Sequence, residues 1–235
     1  FTLTPQTDGS ELVRHYNGAI LLGPDGRIAA SHAKQHLVPF GEYVPLRPYL
    51  PFLEPLVVSI GDFAAGTSDE PLALEPMRLG MLICYESIFP EIALQSVTRG
   101  ANLLVNLTND AWYGRSSAPH QSMAMAVFRA VENKRALVRA ANTGISGFVD
   151  PVGRIAERSG LFVEAALVSR MPLLDGQTVF NRQGHLFRPA CAVLIPLFLL
   201  LCRRRTRGPV RFPCHGLSLR PQSPAAPTPT ATMAT

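Results

Sequence analysis

The stretch Leu79-Gly80-Met81-Leu82-Ile83-Cys84-Tyr85-Glu86-Ser87-Ile88-Phe89-Pro90 decides the fold of this chain. Its apolar run, Met81 to Ile83, predicts a buried strand. The strand ends at Cys84, and the polar Glu86 and Ser87 suit the beginning of a helix. A thiol at a strand end that faces a helix N-terminus lies in the positive field of the helix dipole, which favours the nucleophilic thiolate. Cys84 could equally be a small buried hydrophobic residue, and this stretch alone leaves both interpretations open.

A second unusual stretch lies upstream, Lys34-Gln35-His36-Leu37-Val38-Pro39-Phe40-Gly41-Glu42-Tyr43. The chain has only two lysines, Lys34 and Lys134, among 22 basic side chains. A lysine in a chain whose basic residues are otherwise almost all arginines suggests that this position requires a compact point charge. Taken alone, Lys34 would sooner be a solvated loop residue.

Together the two stretches resemble the nitrilase superfamily and, more narrowly, its apolipoprotein N-acyltransferase branch. The resemblance runs from about Tyr16 to Arg205 and contains five separated motifs in the family's order. These motifs are Tyr16-Asn17, the block from Lys34 to Tyr43, Cys84-Tyr85-Glu86, Asn106-Leu107-Thr108-Asn109-Asp110-Ala111-Trp112-Tyr113-Gly114 and Asn142-Thr143-Gly144-Ile145-Ser146. The resemblance implies an αββα sandwich, and the alternation of predicted strands and helices with two hairpins independently predicts a layered α/β domain.

The resemblance also implies a chemistry, acyl transfer from a phospholipid to the N-terminal amine of a diacylglyceryl lipoprotein. Cys84 would form a thioester with the acyl chain, and Lys34 would stabilise the oxyanion with the backbone N–H of Tyr85. Glu42 would lie near the thiol as a second carboxylate, or else be a solvated loop acid. Glu86 would position the loop rather than move protons.

Two further side chains are supporting candidates. Asn17 could orient a neighbour through side-chain hydrogen bonds, or could simply be a polar residue at the start of a strand. The family places Trp112, the only tryptophan, beside the active site, although a lone tryptophan is more often a packing residue.

The superfamily's triad has a further glutamate upstream of its lysine. The only glutamate before Lys34 is Glu11, whose polar surroundings lack the family's strand-end motif, so the role is not assigned to it. Because residue 1 is Phe and no signal peptide is recognisable, we expect a C-terminal part of a longer protein. We therefore expect the 235-residue chain alone to have little or no activity.

Composition excludes several other functions. Residues 203–235 hold six arginines and no acid, so residues 1–202 carry 22 − 6 = 16 basic and 17 acidic side chains, a net charge of −1. A near-neutral body does not predict a nucleic-acid surface. The four cysteines form no Cys-x-x-Cys pair and have no histidine cluster beside them, so neither a metal site nor a cofactor is predicted.

The remaining segments predict the order of the elements. Residues 17–22 and 27–31 flank a Gly23-Pro24-Asp25-Gly26 turn and predict a hairpin, as do 145–149 and the residues from 154 onward. Helices are predicted over 88–98 and within 120–139, the latter with Ala124, Val127, Phe128 and Val131 on its apolar face and with Arg129 able to pair with Glu132. Strands are predicted over 101–107 and 162–169. Residues 39–56 contain five prolines and predict a long loop, either a lipid-facing lid or an ordinary packed loop.

The C-terminal region predicts a membrane anchor. Residues 190–202 are all apolar, and residues 186–202 approach the length of a span before Arg203-Arg204-Arg205. A buried core helix is the alternative. The predicted organisation is an incomplete catalytic domain over 1–185, a transmembrane helix over 186–205, and a disordered tail over 206–235. The resemblance implies the bacterial inner membrane, with the catalytic domain on the periplasmic side.

Three functional hypotheses follow. The first is the membrane acyltransferase. The second is a soluble nitrilase-type amidase, which would need no C-terminal span. The third is a non-catalytic remnant that serves as a binding or structural module.

Overall fold

The computed structural model describes residues 2–5, 11–45 and 63–205. Its main feature is a six-stranded mixed sheet in the order β10-β9-β8-β7-β6-β5. The strands are β5 (Leu72–Leu74), β6 (Met77–Ile83), β7 (Leu103–Asn109), β8 (Ala136–Asn142), β9 (Gly147–Val149) and β10 (Ile155–Arg158). β6, β7 and β8 are parallel, and the outer strands pair antiparallel. The three parallel strands therefore bring their carboxyl ends to one edge of the sheet.

Two hairpins precede this sheet. β3 (Gly18–Leu22) pairs with β4 (Ile28–Ala33), which confirms the predicted hairpin and places Lys34 directly after its second strand. β1 (Thr2–Pro5) pairs with β2 (Glu11–Arg14), a hairpin that the pattern did not predict.

Helices and the β3–β4 hairpin cover opposite faces of the sheet. α1 (Pro90–Thr98) and α2 (Ala118–Asn133) bury Leu82, Leu104 and Leu137 in the larger core. Met81 and Ile83 point to the other face, where they pack with side chains of the hairpin. Because neighbouring strand residues alternate between faces, the buried run 81–83 serves both cores. The mixed sheet with its helices confirms the predicted layered α/β architecture.

Three local predictions are wrong. The first helix begins at Pro90, because the 3-10 turn Cys84–Ile88 intervenes between β6 and α1. The thiol therefore stands at a short 3-10 turn rather than before an α-helix. Residues 162–169 form no strand, and Val168 is 86% exposed there. The buried face of α2 also differs from the predicted apolar face.

On α2, polar residues occupy the buried face. Arg129 and Asn133 are buried with Met123, Ala126 and Ala130, whereas Phe128 is 58% exposed and Val131 45% exposed. Arg129 donates to the carbonyl of Ile88 at 2.8 Å and pairs with Glu132 at 2.7 Å, which confirms the predicted pair. Hydrogen bonds of Arg129 and Asn133 therefore act together with the small and apolar side chains in fixing the buried face of this helix.

The C-terminal helix α3 covers Val179–Arg205 and contains Pro189 and Pro196. None of the helices in the described ranges is both long and apolar enough to cross a membrane. The transmembrane helix expected over residues 186–205 stays a prediction. The chain divides into a unit of residues 1–187, which contains the sheets of the described ranges, and a unit of residues 188–235. The predicted tail and residues 46–56 of the proline-rich loop lie outside the described residues.

Candidate active site

Cys84 lies at the carboxyl end of β6, where the chain leaves the sheet. Its φ is +54°, in the left-handed region. This conformation costs a residue with a side chain about 1–2 kcal/mol, and such costs persist where the surroundings hold the backbone in place, often at functional sites. The Cys84 side chain packs, partly buried, beside Met81 and Ile83.

Glu86 stabilises from inside the 3-10 turn Cys84–Ile88, which we call the Cys84 turn. Its carboxylate is completely buried and accepts three backbone N–H bonds. Oε2 accepts the N–H of Ile83 at 2.7 Å, while Oε1 accepts those of Gln35 at 2.6 Å and His36 at 3.0 Å. Hydrogen bonds to a carboxylate are stronger than neutral ones, so this side chain fastens the segment after Lys34 to the Cys84 turn.

Lys34 and Glu42 form the charged part of the site. Lys34 is 1% exposed, and its Nζ donates to Glu42 Oε2 at 2.7 Å. Asn17 Nδ2 donates to Glu42 Oε1 at 2.8 Å, and the Val38 N–H donates to Oε2 at 2.8 Å. Burial raises the pKa of Glu42, but the hydrogen bonds from Lys34, Asn17 and Val38 outweigh it and hold the pKa below its ordinary value. The site thus keeps a carboxylate and an ammonium together away from water.

The structure thus groups Lys34, Glu42 and Asn17 directly, and it connects them to Cys84 through Gln35 and Glu86. Tyr85 is 37% exposed and contacts Phe89 edge-on, with ring centroids 5.4 Å apart. The Tyr85 ring is therefore more accessible than the buried polar side chains of the site.

Trp112 belongs to the 3-10 turn Asp110–Tyr113, which we call the Trp112 turn. Its indole is 73% exposed and is not the packing residue that a lone tryptophan usually is. Burial raises the pKa of Tyr113 in the same turn, and electrostatic interaction with the neighbouring Cys84 and Asp110 side chains raises it further. The Tyr113 phenol therefore stays protonated beside the Cys84 turn.

Several site residues were missed in the sequence. Arg139 is buried on β8 and donates from Nη2 to Asp110 Oδ2 at 2.8 Å and to Ser122 Oγ at 2.9 Å. Its Nη1 donates to Asn106 Oδ1. Asn106 and Asp110 lie in a quoted motif, but their partner Arg139 lies 33 and 29 residues away, and no local pattern connects them.

His32 is a second buried group that the sequence did not indicate. It is 4% exposed on β4, and its Nε2 has no hydrogen-bond partner among the described residues. Burial lowers the pKa of His32, an effect that the carboxylates of Glu86 and Asp69 partly oppose. The imidazole is therefore neutral next to the site. Within the described ranges, no cluster of His, Cys, Asp and Glu side chains could hold a metal ion.

Comparison with known proteins places the sequence among similar ones. The carbon-nitrogen hydrolase family model matches residues 2–178. The apolipoprotein N-acyltransferase of Geobacter metallireducens is 47% identical over 85% of this chain, and that of Rhodopseudomonas palustris is 43% identical over 86%. The chain spans 38% and 37% of the lengths of these two relatives.

One solved structure supports the fold. The carbon-nitrogen hydrolase of Helicobacter pylori G27 superposes with a TM-score of 0.51 over 69% of this chain and 57% of its own, at 17% identity. The match of the family model to three quarters of the sequence, together with the mixed sheet that carries Cys84 at its edge, shows that this chain belongs to the carbon-nitrogen hydrolase family.

Proposed function

We propose that this chain is the catalytic part of an apolipoprotein N-acyltransferase. The observation that carries the proposal is the buried Lys34–Glu42 pair, tied through Glu86 to a cysteine held at positive φ. The identity to acyltransferases of that name, 47% over most of this chain, supports the same assignment.

The proposed reaction has two steps. In the first, Cys84 Sγ attacks the carbonyl carbon of a phospholipid acyl ester, the ester C–O bond breaks, and the lysophospholipid alkoxide leaves with the thiol proton. In the second, the α-amine of the terminal cysteine of a diacylglyceryl lipoprotein attacks the thioester. The amide forms, the C–S bond breaks, and the amine proton restores the thiol.

The charged residues have separate roles in this proposal. Lys34 stabilises the oxyanion of each tetrahedral intermediate as a point charge, together with the backbone N–H of Tyr85. Glu42 and Asn17 fix the position of the Lys34 ammonium, and Glu86 fixes the Cys84 turn. The exposed Trp112 offers an apolar contact to the acyl chain.

Both proposed substrates carry fatty acyl chains and reside in a bilayer. We therefore place the reaction at the bacterial inner membrane, on its periplasmic side. No cofactor takes part, because an ester supplies its own activated acyl group.

The test is a chimera. Residues 14–205 of this chain replace the matching segment of the Geobacter metallireducens relative, and the product is incubated with phospholipid vesicles and a diacylglyceryl lipopeptide. We expect one acyl mass on Cys84 and, after transfer, one on the lipopeptide amine. Cys84→Ser should abolish both. If Lys34→Ala leaves transfer undiminished, Lys34 does not stabilise the oxyanion.

The same chimera separates the competing functions. An amidase would release ammonia from a short amide and would not acylate the lipopeptide. A remnant with only a structural role would leave Cys84 unmodified by any acyl donor. Either result would contradict the proposed function.

A further inference from the structure

The buried side chain of Arg139 is linked by hydrogen bonds to both the Cys84 turn and the Trp112 turn. The Arg139 guanidinium lies between β7 and α2, and the side chains of Arg139 and Asp110 are wholly buried. Its Nε donates to the Ile145 carbonyl at 3.1 Å, and its other nitrogens donate to Asn106, Asp110 and Ser122. A guanidinium presents its donors in a fixed planar fork, so one group can set the relative position of several acceptors.

One branch of this network runs to Cys84. Asn106 is completely buried, and its Oδ1 accepts from Arg139 Nη1. The amide group is thereby oriented so that Nδ2 donates to the Leu82 carbonyl at 2.7 Å and to the Cys84 carbonyl at 3.4 Å. The Leu82 carbonyl belongs to the last part of β6, and the Cys84 carbonyl belongs to the first residue of the turn, whose φ is positive. Arg139 thus acts on the Cys84 backbone through a single amide.

The other branch runs to the Trp112 turn. Asp110 Oδ2 accepts from Arg139 Nη2 at 2.8 Å, and Asp110 Oδ1 accepts from Thr108 Oγ1 at 2.9 Å. Asp110 is the first residue of the turn that carries Trp112 and Tyr113. A carboxylate with both oxygens bound inside the protein fixes where that turn begins.

We propose that Arg139 is a positioning residue that sets the Cys84 turn and the Trp112 turn relative to each other. The proposal rests on the proposed function only in treating Cys84 as the nucleophile. Arg139 touches neither substrate nor thiol in this role. It acts through Asn106 on one turn and through Asp110 on the other, and it holds Cys84 in a backbone conformation that the residue would not adopt by itself.

Two readouts report the two turns separately. The rate of Cys84 carbamidomethylation by iodoacetamide, followed by peptide mass spectrometry on the full chain, reports the Cys84 turn, with Cys191 and Cys202 as internal references. Iodide quenching of tryptophan fluorescence reports the Trp112 turn, because Trp112 is the only tryptophan.

The variants are chosen to cut one branch at a time. Asn106→Asp keeps an acceptor for Arg139 but removes the amide donor to the two carbonyls. We expect Cys84 alkylation to slow about fivefold or more, the factor for a lost hydrogen bond, without a change in quenching. Asp110→Asn should raise the iodide quenching constant toward that of a free indole. Arg139→Lys keeps the charge, loses the fork and should change both readouts.

Arg135→Lys is the matched control. Arg135 is also buried, stands just before β8, and donates to the carbonyls of Ala101 and Gly176 at 2.8 Å each. It lies at the amino end of the strand, away from the site. We therefore expect the Arg135→Lys substitution to lower stability while leaving both readouts unchanged. Equal changes in Arg135→Lys and Arg139→Lys would overturn the proposal, as would an unchanged or faster Cys84 reaction in Asn106→Asp.

These measurements do not require acyl transfer. If the chimera fails to acylate but the variants behave as expected, the proposed function is wrong and the positioning role stands. If acyl transfer is found but Asn106→Asp and Arg139→Lys react like the unmodified chain, the positioning role is wrong and the proposed function stands.

Discussion

Lys34 and Glu42 form an ion pair in the protein interior, with Lys34 Nζ 2.7 Å from Glu42 Oε2 and side-chain exposures of 1% and 13%. Neither charge is unpaired, because Asn17 and the Val38 N–H bind the remaining carboxylate lone pairs. Removing only one partner of such a desolvated pair destabilises the protein, because the other charge is left buried without compensation. The pair therefore makes both stability and the proposed chemistry depend on Lys34.

We expect Lys34→Met to lower the free energy of unfolding by about 3 kcal/mol, because it leaves the Glu42 carboxylate without its cation. Urea unfolding of the full chain at pH 7 measures this. The control is Arg99→Met, which removes ion pairs to Asp69 and Glu70 at the surface and should cost far less. Equal losses in the two variants would show that the Lys34 pair is no stronger than a surface contact.

The same pair predicts acid sensitivity. Burial raises the pKa of Glu42, but its hydrogen bonds lower it by more, so that the pKa lies below the ordinary 4.5. The unfolded chain therefore binds this proton first, and stability falls as the pH drops below about 4.5 and continues to fall through the folded pKa. The slope of unfolding free energy between pH 5 and pH 3 should decrease in Glu42→Gln; an unchanged slope would contradict the direction of the shift.

His32 predicts a second, earlier loss on acidification. Burial lowers its pKa below 6.5, so the unfolded chain takes up a proton that the folded chain resists. Stability should fall as the pH drops below about 6.5, and His32→Gln should reduce that dependence. Urea midpoints between pH 8 and pH 5.5 measure it, with the exposed His120→Gln as control. A matching effect of both substitutions would exclude His32 as the source.

Glu86→Gln should lower the free energy of unfolding by about 2 kcal/mol. An amide nitrogen would replace one of two oxygens that together accept three N–H groups, so at least one donor would lose its acceptor. The matched control is Glu132→Gln, because Glu132 is 23% exposed and bonded to Arg129. A loss in Glu132→Gln as large as in Glu86→Gln would show that burial of the carboxylate is not the cause.

Gly144→Ala tests how tightly the Asp110 carboxylate is enclosed. A Cβ at position 144 would lie 2.7 Å from Asp110 Cβ and Cγ, and Asp110 is held by Arg139. We expect a loss of about 2 kcal/mol from this overpacking and a change in Trp112 fluorescence. Gly176→Ala, where no atom lies within 4 Å of the new Cβ, should have little effect. An unaltered Gly144→Ala protein would contradict the close packing at Asp110.

The orientation of α2 can be tested in the same way. Met123 is 3% exposed and Phe128 is 58% exposed. Met123→Ala should therefore cost about 3 kcal/mol, and Phe128→Ala should cost little, as judged by urea unfolding. The reverse order would restore the face that the hydrophobic pattern predicted.

That pattern shows how far the sequence leads. The strand–cysteine boundary at Cys84, both predicted hairpins and the layered α/β class could be predicted, because each depends on neighbouring residues. The face of α2 could not, because Arg129 and Asn133 are buried by hydrogen bonds to groups outside their helix, among them the Ile88 carbonyl and Asn181. A prediction based on hydrophobicity alone assigns arginine and asparagine to the solvent-exposed face.

The site shows the same division. Lys34, Glu42, Cys84 and Glu86 lie in two short stretches that the sequence singles out. The connection between those stretches depends on Glu86 reaching the N–H groups of Gln35 and His36, 51 and 50 residues away. Arg139 and His32 carry no local signal at all, since what distinguishes them is burial against partners remote in the chain.

At Arg135, one side chain is hydrogen-bonded to several backbone groups, so mutations at the donor and at the acceptors have unequal effects. Its guanidinium donates to the main-chain oxygens of Ala101, Asn133, Lys134 and Gly176. Because any amino acid brings the same oxygen, mutation at those four codons leaves the acceptors in place. The hydrogen bonds that join the sheet to the segment before α3 therefore depend on the identity of a single residue, Arg135. Substitution of that residue is the change that would remove them.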